Sequence, residues 1–384
     1  MLLNGPAVAA SLEPATLTAR LMPGQSVSEH KTATLPADVR PRQGDILIAF
    51  DLTGSMGGEL SNVKVNAQNI MNAVQGAIPD TNFGVVSHMD YPATYSSGSY
   101  SAEYGRNTGI SPFIDYAYQL NRSLTGDTTA VGTTIQGLAL GAGGDLPEDY
   151  TRVFYESYAD PAIGWRTGAK KIVLAWLDAV PHDCDYAEIL MPTTVLYSTT
   201  GKDPGRDGLL GTGNDPEDAD NLEILPVLQA MAAQNITLIV LYSGADDTYY
   251  RAAWGGLPLW QKYAEITGGS AFQINDTGTI PGGMDIGTFV AGLITDTVGH
   301  LNQLSLEVGD PAYAGWLQSV DPASYLDITL DQNRTFDFDI SIQVPMGTPD
   351  GEYSFPISLV GDGVVYAEQQ VRITVYNEIA VPVD

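Results

Sequence analysis

The side chains of this 384-residue chain best suited to chemistry lie in one short segment, Asp-Leu-Thr-Gly-Ser. Asp51, Thr53 and Ser55 alternate in it, and Gly54 permits a tight turn between them. Oxygen side chains at alternate positions of such a turn can converge on one cation, and a site with oxygen ligands alone suits Mg²⁺, Mn²⁺ or Ca²⁺ rather than zinc. The alternative is a helix N-cap, for which one Ser or Thr is sufficient. Three oxygen side chains in register favour the cation site.

A second segment, residues 203–218, is rich in carboxylates and glycines. Its Asp-x-x-x-Asp-Gly core resembles the first half of a calcium loop, with Gly208 at the sharp turn, but Gly205 replaces a usual oxygen ligand. The residues predicted to supply Ca²⁺ ligands are Asp203, Asp207, Leu209, Asn214 and Asp215. A merely solvated insertion explains the same composition, so both interpretations stay open.

The other candidate residues carry weaker signals. His182 follows closely on Asp178, near the predicted metal face, where a lone histidine more often packs or hydrogen-bonds than binds a metal. The single cysteine, Cys184, excludes an internal disulfide and a thiolate zinc cage. A loop over residues 91–105 combines tyrosine with serine and glycine, which is typical of contact surfaces, although Tyr91-Pro92 can also simply turn the chain.

The composition indicates a strongly acidic protein with enough apolar residues for packed cores. Asp and Glu number 46 against 17 Lys and Arg, so the formal net charge is −29, while hydrophobic residues make up 44%. Charge of this sign repels phosphate, which makes nucleic acids and anionic membranes poor candidate partners. No apolar run reaches the roughly 18 residues that a membrane span needs, and residues 1–9 are expected to be flexible, without an evident signal peptide.

Apolar strands that alternate with amphipathic helices predict an α/β domain around Asp51. Strands are predicted over residues 45–50, 83–86, 171–177, 236–242 and 270–274, and helices over 59–78, 128–142, 147–159, 219–234, 257–267 and 284–299. Such an alternation implies a doubly wound, mainly parallel sheet covered on both faces. In open sheets of this kind ligands bind at the carboxyl ends of the strands, which is where Asp51 lies.

After Leu301 the apolar pattern changes to a period of two, which predicts an all-β domain. Two more alternating segments surround Pro23-Gly24, and because two strands alone are marginal in water, they are expected to complete an immunoglobulin-like sandwich. A small hairpin packed on the α/β domain is the alternative. The predicted organisation is a flexible N-terminus at 1–9, sandwich strands at 10–40, the α/β domain at 41–300 and the rest of the sandwich at 301–384.

Several motifs, in the expected order, resemble those of the von Willebrand factor A (VWA) family. Residues 51–55 are similar to the start of its metal-ion-dependent adhesion site (MIDAS), and residues 85–92 resemble a second strand with an Asp-Tyr-Pro loop. Residues 141–150 resemble a Gly-Gly-Asp-x-Pro-Glu segment, and residues 174–183 resemble a strand followed by an Asp-Ala-x-Pro-His loop. The resemblance implies a VWA fold in which Asp145 and Asp178 join Asp51, Thr53 and Ser55 around the ion.

The resemblance also implies recognition rather than catalysis. In the family a divalent cation keeps an open position, which an acidic residue of a protein partner fills. Asp145 departs from the threonine that many members have, so some of the aspartates are expected to bind Mg²⁺ through water, and a purely structural ion is the alternative. An enzyme is not expected, because the site lacks an evident general base and a leaving-group acid.

Two functions therefore follow from the sequence as hypotheses. The first is a metal-dependent adhesion or protein-interaction module, located outside the cell or at its surface. The second is a structural subunit of a surface layer, an appendage or a phage-like assembly, in which the metal stiffens a subunit contact.

Overall fold

The computed structural model describes residues 9–37, 39–97, 100–107, 114–183, 200–211, 221–244 and 256–377. The chain forms two compact units, one made of Met1–Pro41 with Val298–Asp384 and the other of Arg42–Thr297. The chain therefore leaves the first unit once and returns to it after building the second. Of the predicted flexible segment only its last residue is described, and Cys184, Asn214 and Asp215 lie outside the described residues.

The two units contain the following elements. The strands are β1 Ser11–Glu13, β2 Thr16–Leu21, β3 Ser26–Leu35, β4 Gln43–Asp51, β5 Asp80–His88, β6 Thr94–Ser97, β7 Tyr100–Glu103, β8 Gln119–Thr125, β9 Lys170–Leu177, β10 Ile236–Tyr242, β11 Ser270–Gln273, β12 His300–Val308, β13 Leu317–Asp321, β14 Ser324–Thr329, β15 Arg334–Gln343, β16 Gly351–Gly361 and β17 Val364–Val375. The helices are α1 Gly57–Ala77, α2 Thr128–Gly137, α3 Tyr150–Ala159, α4 Ile224–Ala233, α5 Gly256–Ile266 and α6 Ile286–Val298. Short 3-10 helices lie at Gly54–Met56, Pro161–Ile163 and Pro311–Trp316.

The α/β unit is built on a six-stranded sheet in the order β11-β10-β9-β4-β5-β8. Its strands are parallel except for the edge strand β8, which runs antiparallel to β5. Of the six strands of this sheet, β4 comes first in the sequence. It lies inside the sheet, and the later strands lie on both sides of it. The carboxyl ends of the five parallel strands therefore meet at one edge, which we call the ligand edge.

Helices cover both faces of this sheet. Alternate strand residues such as Leu47 and Val173 pack in one core with buried residues of α3, α4 and α5. The intervening residues, such as Ile46 and Ile172, are equally buried and point to the opposite face, where α1 and α2 pack together. Burial on both faces explains why the strands are nearly continuous apolar runs in the sequence.

The other unit is a β-sandwich of two sheets with one shared core. The sheet orders are β1-β3-β15-β13 and β14-β12-β16-β17-β2. Phe338 and Ile340 of the first sheet pack in the same core as Phe355 and Val371 of the second. The N-terminal strands belong to it because β3 pairs with β15 and β2 pairs with β17. The predicted fold class, a doubly wound, mainly parallel α/β sheet with an all-β sandwich, is confirmed; the immunoglobulin-like and VWA assignments stay predictions.

Several elements differ from their predicted extents. The helix predicted over 128–142 ends at Gly137, and the following residues form a loop at the ligand edge. The edge strand β8 was not predicted, because its sequence, Gln-Leu-Asn-Arg-Ser-Leu-Thr, is largely polar and its residues are exposed or half-buried. In the described residues the N-terminal part of the sandwich contributes three strands rather than two, because β1 is too short to show an alternating pattern.

Among the described residues, no helix is both long enough and apolar enough to span a membrane.

Candidate metal centre

The ends of β4, β5 and β9 lie side by side at the ligand edge. β4 pairs in parallel with both neighbours, with Asp51 opposite His88 of β5 and Phe50 opposite Trp176 of β9. The segments that follow these strands are therefore neighbours in space, although they are far apart in sequence. The sheet alone places Asp51 beside Asp178.

Asp51 is completely buried and holds the turn that follows it. Its Oδ1 accepts hydrogen bonds from the Thr53 amide at 2.8 Å and from the Thr53 hydroxyl at 2.6 Å. The Thr53 hydroxyl is thus used by Asp51 rather than by a helix cap, although Thr53 directly precedes the 3-10 helix Gly54–Met56. Ser55 lies in that helical turn and is exposed. The turn therefore presents one buried and one exposed oxygen side chain after Asp51.

Tyr150, at the start of α3, connects Asp51 to the end of β9. Its hydroxyl donates to Asp51 Oδ2 at 2.6 Å and accepts from the amide of Ala179 at 3.2 Å, with the Asp178 amide at 3.4 Å. Tyr150 is 1% exposed and Asp178 is 3% exposed. Asp51, Thr53 and the backbone amide of Asp178 are thereby joined in one buried network. This network contains three of the five ligands predicted for the first site.

The loop between α2 and α3 carries Asp145. The Asp115 carboxylate fixes this loop, since its oxygens accept hydrogen bonds from the amides of Ala142 at 3.0 Å and Gly143 at 3.1 Å. The backbone at Gly144 then passes close to the backbone of Glu103. A Cβ at position 144 would lie 2.2 Å from the carbonyl oxygen of Glu103. The Gly-Gly pair before Asp145 is therefore needed to bring this carboxylate to the ligand edge.

Asp145 lies with Asp90 and His182. Its Oδ2 accepts a hydrogen bond from the Tyr100 hydroxyl at 2.5 Å, and its Oδ1 lies 3.7 Å from Nε2 of His182. The same Nε2 lies 3.0 Å from Asp90 Oδ2. Among the described residues, Asp90, Asp145 and His182 form the group whose potential metal-ligand atoms all lie within 4.8 Å of one another.

His182 is held in this group from several sides. Its Nδ1 lies 2.6 Å from the carbonyl oxygen of Thr200, and its ring stacks on Tyr104 with centroids 3.6 Å apart. Burial opposes protonation, but Asp90 and then Asp145 raise the pKa of His182 to about 9. Burial raises the pKa of Asp90 to about 7, although His182 lowers it. The pair is electrostatically linked in the interior.

The ligand edge holds an excess of buried carboxyl groups. These are Asp51, Asp90, Glu148, Asp149 and Asp178, each at most 4% exposed. Burial raises the pKa of Glu148 well above its usual range, and the charges of neighbouring aspartates, of which Asp51 is the strongest, raise it further. Its Oε2 is buried and accepts no hydrogen bond from any described residue. Buried carboxylates are stable only with a counter-charge, a donor or a proton.

These residues fit a divalent cation. The predicted ligands Asp51, Thr53, Ser55 and Asp178 offer oxygen donors alone, and Mg²⁺ and Ca²⁺ prefer such donors. The orphaned oxygen of Glu148 lies in the same interior, and a cation would supply the missing counter-charge. Asp145 and Glu148 are two further carboxylates, and the charge of Asp145 raises the pKa of Glu148.

The described part of the second candidate segment is built differently from a calcium loop. Asp203 is completely buried, and its Oδ1 accepts from the Tyr91 hydroxyl at 2.8 Å and from the Gly205 amide at 2.9 Å. Asp207 is exposed, and its Oδ1 accepts from the Leu209 amide at 2.7 Å in a local turn. Because Asn214 and Asp215 lie outside the described residues, Ca²⁺ binding by this segment stays a prediction.

The tyrosine-rich loop packs inwards rather than forming an exposed contact surface. Tyr91 is 5% exposed and Tyr104 is fully buried. The Tyr95 hydroxyl donates to the carbonyl oxygen of Gly208 at 2.7 Å, and the Tyr104 hydroxyl donates to the carbonyl oxygen of Lys202 at 3.2 Å. The tyrosines thus support the 200–208 segment and the His182 ring.

Sequence reasoning missed Asp90 and Glu148 and gave His182 little weight. Asp90 and Glu148 both lie inside the motifs that resemble those of the VWA family, so the sequence showed two further carboxylates there. Their grouping depends on loops: a parallel bridge joins Glu148 to Pro181, and the His182 amide donates to the Glu148 carbonyl at 3.1 Å. Such loop-to-loop contacts leave no periodic signal in a sequence.

Comparisons with known proteins give distant structural likenesses. No family model matches the sequence, and no curated protein matches it. The crystal structure of the SpRpn10 VWA domain aligns at 12% identity and a TM-score of 0.35, covering 64% of this chain and 93% of that chain. The pilus adhesin SpaC from Lactobacillus rhamnosus GG, in its open conformation, aligns at 12% identity and a TM-score of 0.40, covering 91% of this chain. This alignment spans 45% of SpaC, and neither likeness is close enough to bear on function.

Proposed function

We propose that this chain is a metal-ion-dependent adhesion or protein-interaction module. In this proposal Mg²⁺, or a similar ion such as Mn²⁺ or Ca²⁺, is held by Asp51, Thr53, Ser55 and Asp178, with Asp145 acting directly or through water. An acidic residue of a protein partner completes the shell of the ion. The role is recognition rather than catalysis, and the location is extracellular or at the cell surface.

The observation that carries the proposal is the Asp51 network. Asp51 is fully buried, yet it stands at the end of a strand where the chain turns towards an exposed residue, Ser55. Thr53 and Tyr150 fix both carboxylate oxygens of Asp51, so the ligand does not have to be ordered when the ion binds. A pre-positioned buried carboxylate beside an exposed hydroxyl suits an ion that is bound by buried protein ligands and is accessible to a partner from the solvent side.

The chain's own residues supply binding and orientation in this mechanism. Asp51 and Asp178 attract the ion, while Thr53 and Tyr150 keep Asp51 in position through hydrogen bonds. The bound cation supplies the positive charge that a partner carboxylate needs, on a protein whose net charge of −29 otherwise repels acidic ligands. An acidic partner is therefore recognised only where the ion lies.

Manganese provides a test without knowledge of the partner. Mn²⁺ bound at a site with an open position relaxes water protons, because bound water exchanges with solvent. We expect Mn²⁺ binding to be competed by Mg²⁺, and the water relaxation to fall when acetate occupies the open position. Ser55→Ala should weaken Mn²⁺ binding about tenfold while leaving the fold intact, since Ser55 is exposed. Asp296→Ala, which removes an exposed charge from α6, is the matched control and should bind as the wild type does.

The outcomes separate the two functions. Bound Mn²⁺ without exchangeable water would contradict an open adhesion site. Such a result, together with oligomers that sediment identically in Mg²⁺ and in EDTA, would favour the structural subunit of an assembly. Equal Mn²⁺ affinity of Ser55→Ala, Asp51→Asn and the wild type would overturn the proposed ligand set.

A further inference from the structure

We propose that Asp90, Asp145 and His182 form a second cation site, selective for Zn²⁺ or Co²⁺ over Mg²⁺. The site shares Asp145 with the proposed Mg²⁺ site but differs from it because it offers a nitrogen ligand. Imidazole with carboxylates suits Zn²⁺ or Co²⁺, whereas Mg²⁺ prefers oxygen ligands alone. The inference goes beyond the proposed function and does not require it.

The ligand atoms already converge. Nε2 of His182 lies 3.0 Å from Asp90 Oδ2 and 3.7 Å from Asp145 Oδ1, and the three atoms share a sphere in which no pair is more than 4.8 Å apart. Atoms that each bind one ion at about 2.0–2.2 Å must lie within about 4.4 Å of one another. Small side-chain rotations would therefore be enough to bind an ion between them.

His182 has the orientation that a metal-binding histidine needs. A carbonyl oxygen can only accept, so the 2.6 Å contact with Thr200 places a hydrogen on Nδ1 and directs Nε2 at the two carboxylates. Metal-bound histidines typically donate their second ring nitrogen to a carbonyl or carboxylate in this way. The Thr200 carbonyl is itself fixed, because the Thr200 hydroxyl donates to the Pro181 carbonyl at 2.6 Å. The ring cannot easily rotate, since Tyr104 stacks on it.

Buried oxygens without donors point to a ligand in addition to this geometry. Asp145 Oδ1 and Glu148 Oε2 are both buried, and neither accepts a hydrogen bond from any described residue. Glu148 is 4% exposed and is joined to His182 through its backbone carbonyl. Asp90 Oδ2 and Asp145 Oδ1 both lie near Nε2 of His182. One His⁺ does not balance these two carboxylates, whereas a divalent ion adds the missing charge.

Binding would proceed by exchange of a proton for the metal. The ion takes the position between Nε2 and the two carboxylates, and His182 releases its Nε2 proton to solvent. His182 then binds as neutral imidazole, with Nδ1 still donating to Thr200. Asp145 borders both proposed sites, so the variants that test this site are made at His182 and Asp90.

The test measures Zn²⁺ affinity of the metal-free full chain by competition with a chromophoric chelator, and the absorption spectrum of bound Co²⁺. We expect His182→Gln and Asp90→Asn to weaken Zn²⁺ binding by about a hundredfold or more. His30→Gln is the matched control, because exposed His30 also lies beside two aspartates, Asp337 and Asp339. Neither His30→Gln nor Ser55→Ala should change the affinity, and excess Mg²⁺ should not displace Zn²⁺.

The inference is overturned if His182→Gln binds Zn²⁺ as tightly as the wild type, or if the loss appears in His30→Gln instead. If both ligand variants fail to fold, the ¹⁵N resonances of His182 in the wild-type protein test whether His182 binds Zn²⁺. Zn²⁺ should shift the Nε2 resonance while Nδ1 stays protonated, and unchanged His182 resonances at saturating Zn²⁺ would overturn the site. Loss of Mn²⁺ binding in Ser55→Ala with Zn²⁺ binding retained would separate this site from the proposed Mg²⁺ site.

Discussion

Both units of the molecule bury charged side chains, but they stabilise them differently. In the sandwich, Lys31 is completely buried, yet it pairs with Glu29 and its ammonium donates to the Pro14 carbonyl at 3.0 Å. Gln369 donates to the same two groups. At the ligand edge of the α/β unit, carboxylates outnumber cations and include a buried oxygen without a donor in the described chain.

The difference separates a structural charge from a binding site. A buried cation that is paired with an opposite charge needs no further ion, and Lys31 has an ordinary structural role. A group of carboxylates whose charges raise one another's pKa is stable only with bound protons or with added positive charge. Burial alone marks both regions as unusual, whereas the balance of charges marks the α/β edge as the candidate cation site.

The largest effect of a substitution on the free energy of unfolding is expected in the sandwich. Lys31→Ala removes the cation from a buried pair and should lower the free energy of unfolding by about 3 kcal/mol, with no dependence on Mg²⁺. Urea unfolding in Mg²⁺ and in EDTA measures this. Lys262→Ala, which breaks a pair between two exposed side chains, is the control and should cost about 0.5 kcal/mol or less. A Lys31→Ala loss that changed with Mg²⁺ would remove the distinction between the two units.

A smaller effect on the free energy of unfolding is expected from a substitution of Tyr150. Tyr150→Phe removes the hydroxyl that donates to Asp51 Oδ2 and should cost about 2 kcal/mol in EDTA. The cost should shrink in Mg²⁺, because the ion neutralises the same carboxylate. Tyr118→Phe serves as the control, since its hydroxyl donates to Asp160 at the other end of α3. Unfolding of both variants in urea, with and without Mg²⁺, checks the prediction; equal Mg²⁺ dependence in the two would contradict it.

The smallest effect concerns His30 on the sandwich surface. The hydrogen bond from its ring to Asp339 raises the pKa of His30 above its usual value. The resulting stabilisation is present at low pH and is lost as the pH rises through the raised pKa. Because His30 is exposed, the effect on unfolding should be slight, and an NMR titration is the sensitive measurement. Asp339→Asn should return the His30 pKa towards its usual value; titration at or below that value in the wild-type protein would refute the prediction.

The sequence was informative where structure follows from periodicity. The apolar runs before Asp51 and Asp178 predicted two buried parallel strands, and parallel strands bring their carboxyl ends together whatever their separation in the chain. The proximity of these two residues could therefore be expected. The edge strand β8 could not be expected, because its largely polar sequence lacks a regular apolar pattern.

The position of Asp145 shows where such reasoning ends. Asp145 sits on a loop, and its direction is set by the amides that Asp115 binds and by the close approach of Gly144 to another loop. The group of Asp90, Asp145 and His182 depends on three separate loops, none of which has a repeating pattern. The tyrosines of residues 91–105 were similarly misleading, because their composition does not indicate whether they point outwards or inwards.

The central claim is that the buried carboxylates around Asp51 are neutralised by a divalent cation. Calorimetric unfolding of the wild-type chain and of Ser55→Ala, each in Mg²⁺ and in EDTA, tests it most directly. At a hundredfold excess over its Kd, Mg²⁺ should stabilise the wild-type protein by about 2.7 kcal/mol, and the same concentration should stabilise Ser55→Ala clearly less. A wild-type melting temperature that is identical in Mg²⁺ and in EDTA would contradict the claim.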